Sequence, residues 1–193
     1  MRLERIRLLA CAALASCLAA CAGPRDHFYA LSTLPAAAPG PASNYSTHVV
    51  LAVSLPALVD RRQMVIHTTG DQVLILEHER WAAPLSELVA QTLARDIEQR
   101  RPDVLVADRS FDQAGARAVH VRVDIVQVAA RSGGQATIEA HWRIVDAAAT
   151  SDEVGGELFA APLGAADYAD VARAFSADLG LLADRLVGKL PSH

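Results

Sequence analysis

The sequence predicts an α+β fold, a mostly antiparallel sheet with two helices packed on one face, preceded by an export signal. Three observations predict it. Apolar residues alternate with polar ones through 118–146, around Gly133-Gly134. Two segments, 84–99 and 167–187, carry apolar residues at helical spacing. The chain opens with a charged start and a short apolar run. Periods of two and of 3.6 residues separate half-buried strands from amphipathic helices.

Met1 to Arg7 holds three arginines and one glutamate, and Leu8 to Cys17 is almost entirely apolar. A charged start, a short apolar core and a small-residue cleavage site describe a secretory signal. A membrane-spanning helix needs about 20 apolar residues, more than this run supplies. Leu18-Ala19-Ala20-Cys21 resembles a bacterial lipobox. In such signals the cysteine thiol takes a diacylglycerol, the chain is cut before it, and the new amine is acylated. Several acyl chains anchor stably where one binds only marginally. Leu14-Ala15-Ser16-Cys17 also fits the pattern, and a plain signal peptide with incidental cysteines is a third reading. The length of the apolar core and the polar tether Ala22-Gly23-Pro24-Arg25-Asp26 favour Cys21 as the lipidation site. Ala22 rather than Asp follows that cysteine, which by analogy with sorting rules implies the periplasmic face of the outer membrane. The expected organisation is a signal peptide at 1–20, a lipidated tether at 21–27 and one periplasmic domain at 28–193.

Phe28 to Leu31 is a short apolar run suited to a first strand. Residues 32–46 are rich in Pro, Ala, Gly and Ser, and predict a flexible loop. From His48, Val49, Leu51, Val53 and Leu55 alternate as one face of a strand that Pro56 ends. Gln63–His67 and Gln72–Leu76 flank a turn at Thr68-Thr69-Gly70-Asp71. Leu85, Leu88, Val89, Thr92, Leu93 and Ile97 form one helical stripe, and Pro102 bars continuation. Val104-Leu105-Val106 predicts a short strand.

In the 118–146 hairpin, Ile138, Ala140, Trp142 and Ile144 face one way, and Glu139, His141 and Arg143 the other. The first strand changes phase after Ile125. A bulge at Ile125-Val126 repairs this, since a bulge sets two residues against one. In that register both oppose Trp142, Val123 faces Ile144, Asp124 faces Arg143, and Gly133-Gly134-Gln135 makes the turn. The rival is a regular strand with both faces partly covered. Gly156–Ala160 predicts a closing strand. Asp167–Val187 predicts the second helix, buried through Val171, Phe175, Leu179, Leu182 and Leu186, with Gly180 weakening its middle.

All three cysteines lie in the first 21 residues, so the domain beyond them has no disulfide or thiol nucleophile. Removing residues 1–20 takes away three arginines and one glutamate. That leaves 15 basic and 21 acidic side chains, a net charge of −6. This argues against nucleic acid as a partner, which a basic surface would serve. The seven histidines show no metal-ligand spacing, and no nucleophile elbow, phosphate loop or dinucleotide fingerprint is present. No cofactor, metal or catalytic residue is expected. His120, Arg122, His141 and Arg143 share the polar hairpin face and are the candidate contact for a partner, alongside a free strand edge. Trp81 is either a core anchor under the first helix or an exposed contact, and Asp60-Arg61 either stabilises a turn or binds.

Several segments together resemble a family. They are Phe28-Tyr29-Ala30-Leu31, Leu55-Pro56 followed by Val59-Asp60-Arg61 and Gln63-Met64-Val65, and Arg80-Trp81-Ala82-Ala83-Pro84-Leu85 opening a helix. Their order and spacing are similar to the ABC-type transport auxiliary lipoproteins, the PqiC (YmbA) group of paraquat-inducible systems. The resemblance implies a non-catalytic outer-membrane lipoprotein beside an MCE-domain protein in lipid transport between membranes, supporting envelope integrity. It allows a homo-oligomer. A structural or assembly lipoprotein of another envelope complex, and a lipoprotein hydrolase, are the alternatives.

Overall fold

A computed structural model describes residues 25–34, 45–68, 72–107, 118–131, 134–146, 148–149, 151–163 and 167–191. The export signal, Cys17 and Cys21 lie outside them, as does most of the loop expected at 32–46. The strands are β1 (His27–Tyr29), β2 (Thr47–Ser54), β3 (Gln63–His67), β4 (Val73–Trp81), β5 (Val104–Ala107), β6 (Val119–Ala130), β7 (Gln135–Asp146) and β8 (Glu153–Pro162). The helices are α1 (Leu85–Arg100) and α2 (Tyr168–Val187).

The α+β class and its two helices are as the periodicities predict, but the strand pairing is more mixed. A five-stranded sheet runs β5-β2-β6-β7-β8, and a three-stranded one runs β1-β4-β3. β2 is parallel to both β5 and β6, while β6-β7 and β7-β8 are antiparallel. Alternation marks a strand's faces and carries no information on which neighbour it joins or in which direction. β4 runs through Trp81, well beyond the expected Leu76. Its polar end pairs in parallel with β1, and side chains reinforce the pairing. The Tyr29 hydroxyl donates to Glu79 (2.6 Å), and His27 and His78 bond Glu79 and Asp26 (2.9 Å each). Burial pushes the Glu79 carboxyl up, but the Tyr29 and His27 bonds outweigh it and hold the pKa below its ordinary value.

The bulge in the long hairpin is present, with the register shifting between Ile125 and Gln127. The pairing around it differs from expectation by two residues. Val123 lies opposite Trp142, Asp124 opposite His141 and Ile125 opposite Ala140. The turn closes between Arg131 and Gln135, whose backbone groups bond at 3.1 Å, so the connection starts earlier than expected. An even slip leaves every side chain on its own face, so the in–out assignment survives the register error.

Val49, Leu51, Val121, Val123, Ile138, Ala140, Trp142 and Phe159 bury one face of the large sheet in the main core with α1 and α2. The two helices are bound together at Arg100. Its guanidinium donates to Asp96 on its own helix, and to Asp184 and the Gly180 carbonyl on α2. Gly180 has a packing reason, since a Cβ there would sit 2.5 Å from Leu34 Cδ1. Residues 32–34 cross this junction. The Ser32 N–H donates to Ser176 Oγ (3.0 Å) and the Leu34 N–H to Asp96 Oδ1 (3.1 Å).

Candidate functional site

The segments that carried the family resemblance meet at one junction. Trp81 is 1 % exposed and packs on Phe175, ring centroids 6.2 Å apart. It is therefore a core anchor. The Trp81 N–H donates to the Arg62 carbonyl (2.6 Å), and the Ala82 N–H to the Tyr29 carbonyl (2.7 Å). Arg62 Nη2 donates to the Ala82 carbonyl at 2.6 Å. Pro84 stands at the N-cap of α1 and offers no side-chain acceptor. Asp60 supplies it from another loop, accepting from the Ser86 N–H at 3.0 Å. An N-cap carboxylate satisfies a backbone donor that the first helical turn leaves unpaired. These motif residues build the fold.

The face of the large sheet turned away from the helices is different. His120, Arg122, His141 and Arg143 are all exposed there. They line an open cup of about 560 Å³ with Asp124, Val145 and Val154. The pleat explains the grouping. β6 sends His120, Arg122 and Asp124 outward at alternate positions, and β7 does the same with His141, Arg143 and Val145. The four residues singled out from the sequence are thus brought together, but not in the expected pairs. Arg122 lies directly opposite Arg143, and His120 opposite Val145. Ser54 Oγ donates to Asp124 at 2.6 Å. Glu139 stands 3.7 Å from His141, and Arg143 reaches Asp152 at 3.5 Å. Among the described residues no acid lies within 4.0 Å of Arg122.

The closing strand expected at Gly156–Ala160 is β8, which is longer at both ends, Glu153–Pro162. Gly155 and Gly156 let both neighbouring rings lie over it, one on each face. A Cβ on Gly155 would meet Trp142 Cζ2 at 2.5 Å, and one on Gly156 would meet His141 Cδ2 at 2.7 Å. Val154, in the cup's lining, and Leu158, beyond it on the same outer face, are 66 % and 59 % exposed. Among the described residues no group of His, Cys, Asp and Glu is placed to hold a metal ion.

The model of the ABC-type transport auxiliary lipoprotein component matches residues 29–187. The chain belongs to this family. The match spans every element from β2 to α2, including the Trp81 junction and the outer cup. No curated protein sequence matches the chain. Two solved structures show the same fold. A crystal structure of an uncharacterized protein superposes with a TM-score of 0.72 at 14 % identity, covering 87 % of this chain and all of that one. Protein XCC0632 from Xanthomonas campestris, of the DUF330 family model, gives a TM-score of 0.66 at 20 % identity, covering 84 % and 93 %. Membership makes the protein a lipoprotein and a transport auxiliary component. Among the described residues, no helix is long and apolar enough to cross a membrane.

Proposed function

We propose that this is a non-catalytic outer-membrane lipoprotein, the accessory subunit of an MCE-type system that moves lipid between the two membranes. The observation that carries the reading is the family match over residues 29–187. In this reading residues 1–20 are removed and Cys21 carries the lipid. The tether runs to residue 27, and 28–193 work as one domain in the periplasm. The contacts of Asp26 with His78 and of His27 with Glu79 support a tether that ends there. The outer sheet face with His120, Arg122, His141 and Arg143 meets the partner, an MCE-domain protein, with self-association as a second use of exposed surface. The domain contributes position and contact, and any energy source lies in other subunits.

Deleting the gene should sensitise cells to membrane-active agents. The wild-type gene should restore resistance and a Cys21→Ser allele should not. Full rescue by an allele that is never acylated would overturn the tethered-subunit reading. A purified protein whose hydrolytic turnover one point substitution removes would favour the hydrolase alternative.

A further inference from the structure

The cup on the outer sheet face has a feature that packing does not explain. Arg122 and Arg143 are direct cross-strand neighbours. Side chains so placed have Cβ atoms about 5 Å apart, and like charges there are destabilising. The nearby acids offset this only in part. Asp124 is engaged by Ser54, Glu139 stands by His141, and Arg143's partner Asp152 is solvent-exposed at 3.5 Å. Arg122 has no acid within 4.0 Å among the described residues. Two guanidiniums on adjacent strands can together hold one oxyanion, and each favours a carboxylate as a forked donor.

Resting on the reading of this face as the partner contact, we propose that it receives an acidic, partly apolar segment of a partner protein. One of that segment's carboxylates lies between Arg122 and Arg143. The apolar part follows from Val154, Leu158 and Val126, all exposed on β8 and at the β6 bulge. Arginine beside exposed apolar groups suits a protein interface. The charge distribution favours a protein over a lipid bilayer. Residues 21–193 carry a net charge of −6. Asp124, Glu139 and Asp152 lie around the cluster, and a plane of lipid phosphates would meet them as well as the arginines. A peptide places its carboxylates only where the guanidiniums are.

The test uses the full chain purified in neutral detergent. The probes are the capped hexapeptide Glu-Val-Glu-Leu-Glu-Val, its Lys-Val-Lys-Leu-Lys-Val counterpart, and dihexanoyl phosphatidylglycerol below its micelle concentration. Arg122→Gln/Arg143→Gln should weaken the acidic peptide at least tenfold. The charge-matched Arg25→Gln/Arg173→Gln pair should change it less than twofold. Arg122→Gln alone should keep or raise the melting temperature while lowering affinity, because it relieves the like-charge pair. A purely structural arginine would not behave so. Equal losses in both double variants, or equal binding of the lysine peptide, would overturn the proposal. So would arginine-dependent binding of the lipid with none of the acidic peptide, which would assign the cup to a membrane. These readouts are independent of the rescue experiment, so the cup's chemistry and the transport role can fail separately.

Discussion

Asp178 lies on α2 with no exposed surface, and neither carboxylate oxygen has a hydrogen-bond partner. Burial pushes its pKa up to about 7. An unfolded aspartate ionises near 3.9. Between about pH 4 and 7 the folded state therefore keeps a proton that the unfolded chain has lost. Stability falls as pH rises through that window and levels off above it. The shift corresponds to about 4 kcal/mol at most. Asp178→Asn should raise the melting temperature at pH 8, and the gain should shrink to nothing by pH 4. A gain that stays constant across this range would mean that Asp178 is not the group responsible. Nothing in the local sequence marks this residue, since Asp at a helix position normally reads as solvated surface. Trp142 was legible, because alternation put it on the buried face whatever the register. Trp142→Ala should cost about 3–5 kcal/mol. His141→Ala, one residue away and outward, should stay within about 0.5 kcal/mol. Denaturant titration of both variants checks the faces, and equal losses would mean that the two sides of β7 are not as described.

Strands and helices were the most readable scale where one face is apolar. α1 and α2 start within one residue of their expected positions. Asp167 caps α2 by accepting from the Ala169 N–H at 3.0 Å. The polar end of β4 was unreadable because pairing with β1, a segment far back in the chain, holds it. The hairpin register slipped for a related reason. The bulge is encoded in the phase change after Ile125, but the turn residue that closes the loop is not. β8 offers a sharp test of element packing. Gly155→Ala drives a methyl into the buried indole of Trp142, and such overpacking costs about 1–3 kcal/mol. Gly156→Ala meets the exposed His141 ring, which can swing away, so the loss should stay under about 0.5 kcal/mol. Thermal unfolding of the two variants should separate them, and similar melting temperatures would contradict the placement of Trp142 over β8.

Across the whole molecule, the sequence conveyed the class and the layer arrangement better than the sheet order. Splitting the strands into two sheets depends on pairings between segments far apart in the chain, such as β1 with β4. The outer cup was half legible. Alternation put His120, Arg122, His141 and Arg143 on one face, and only the true register sets the two arginines against each other. The proposed N-terminal anchor belongs to this scale, because it would decide where the domain works. Cys21→Ser should abolish acylation while Cys17→Ser leaves it intact, as intact-mass measurement of the mature chain will show. An acylated N-terminus at position 17 would refute that assignment.

The central claim is that the protein acts by partnership at its outer sheet face. Crosslinking in cells followed by purification of the tagged full-length chain addresses it directly. An MCE-domain protein should co-purify with the wild type and be lost with Arg122→Glu/Arg143→Glu, while the Arg25→Glu/Arg173→Glu control retains it. Recovery of no MCE-domain protein with the wild type, or equal recovery with all three chains, would contradict it.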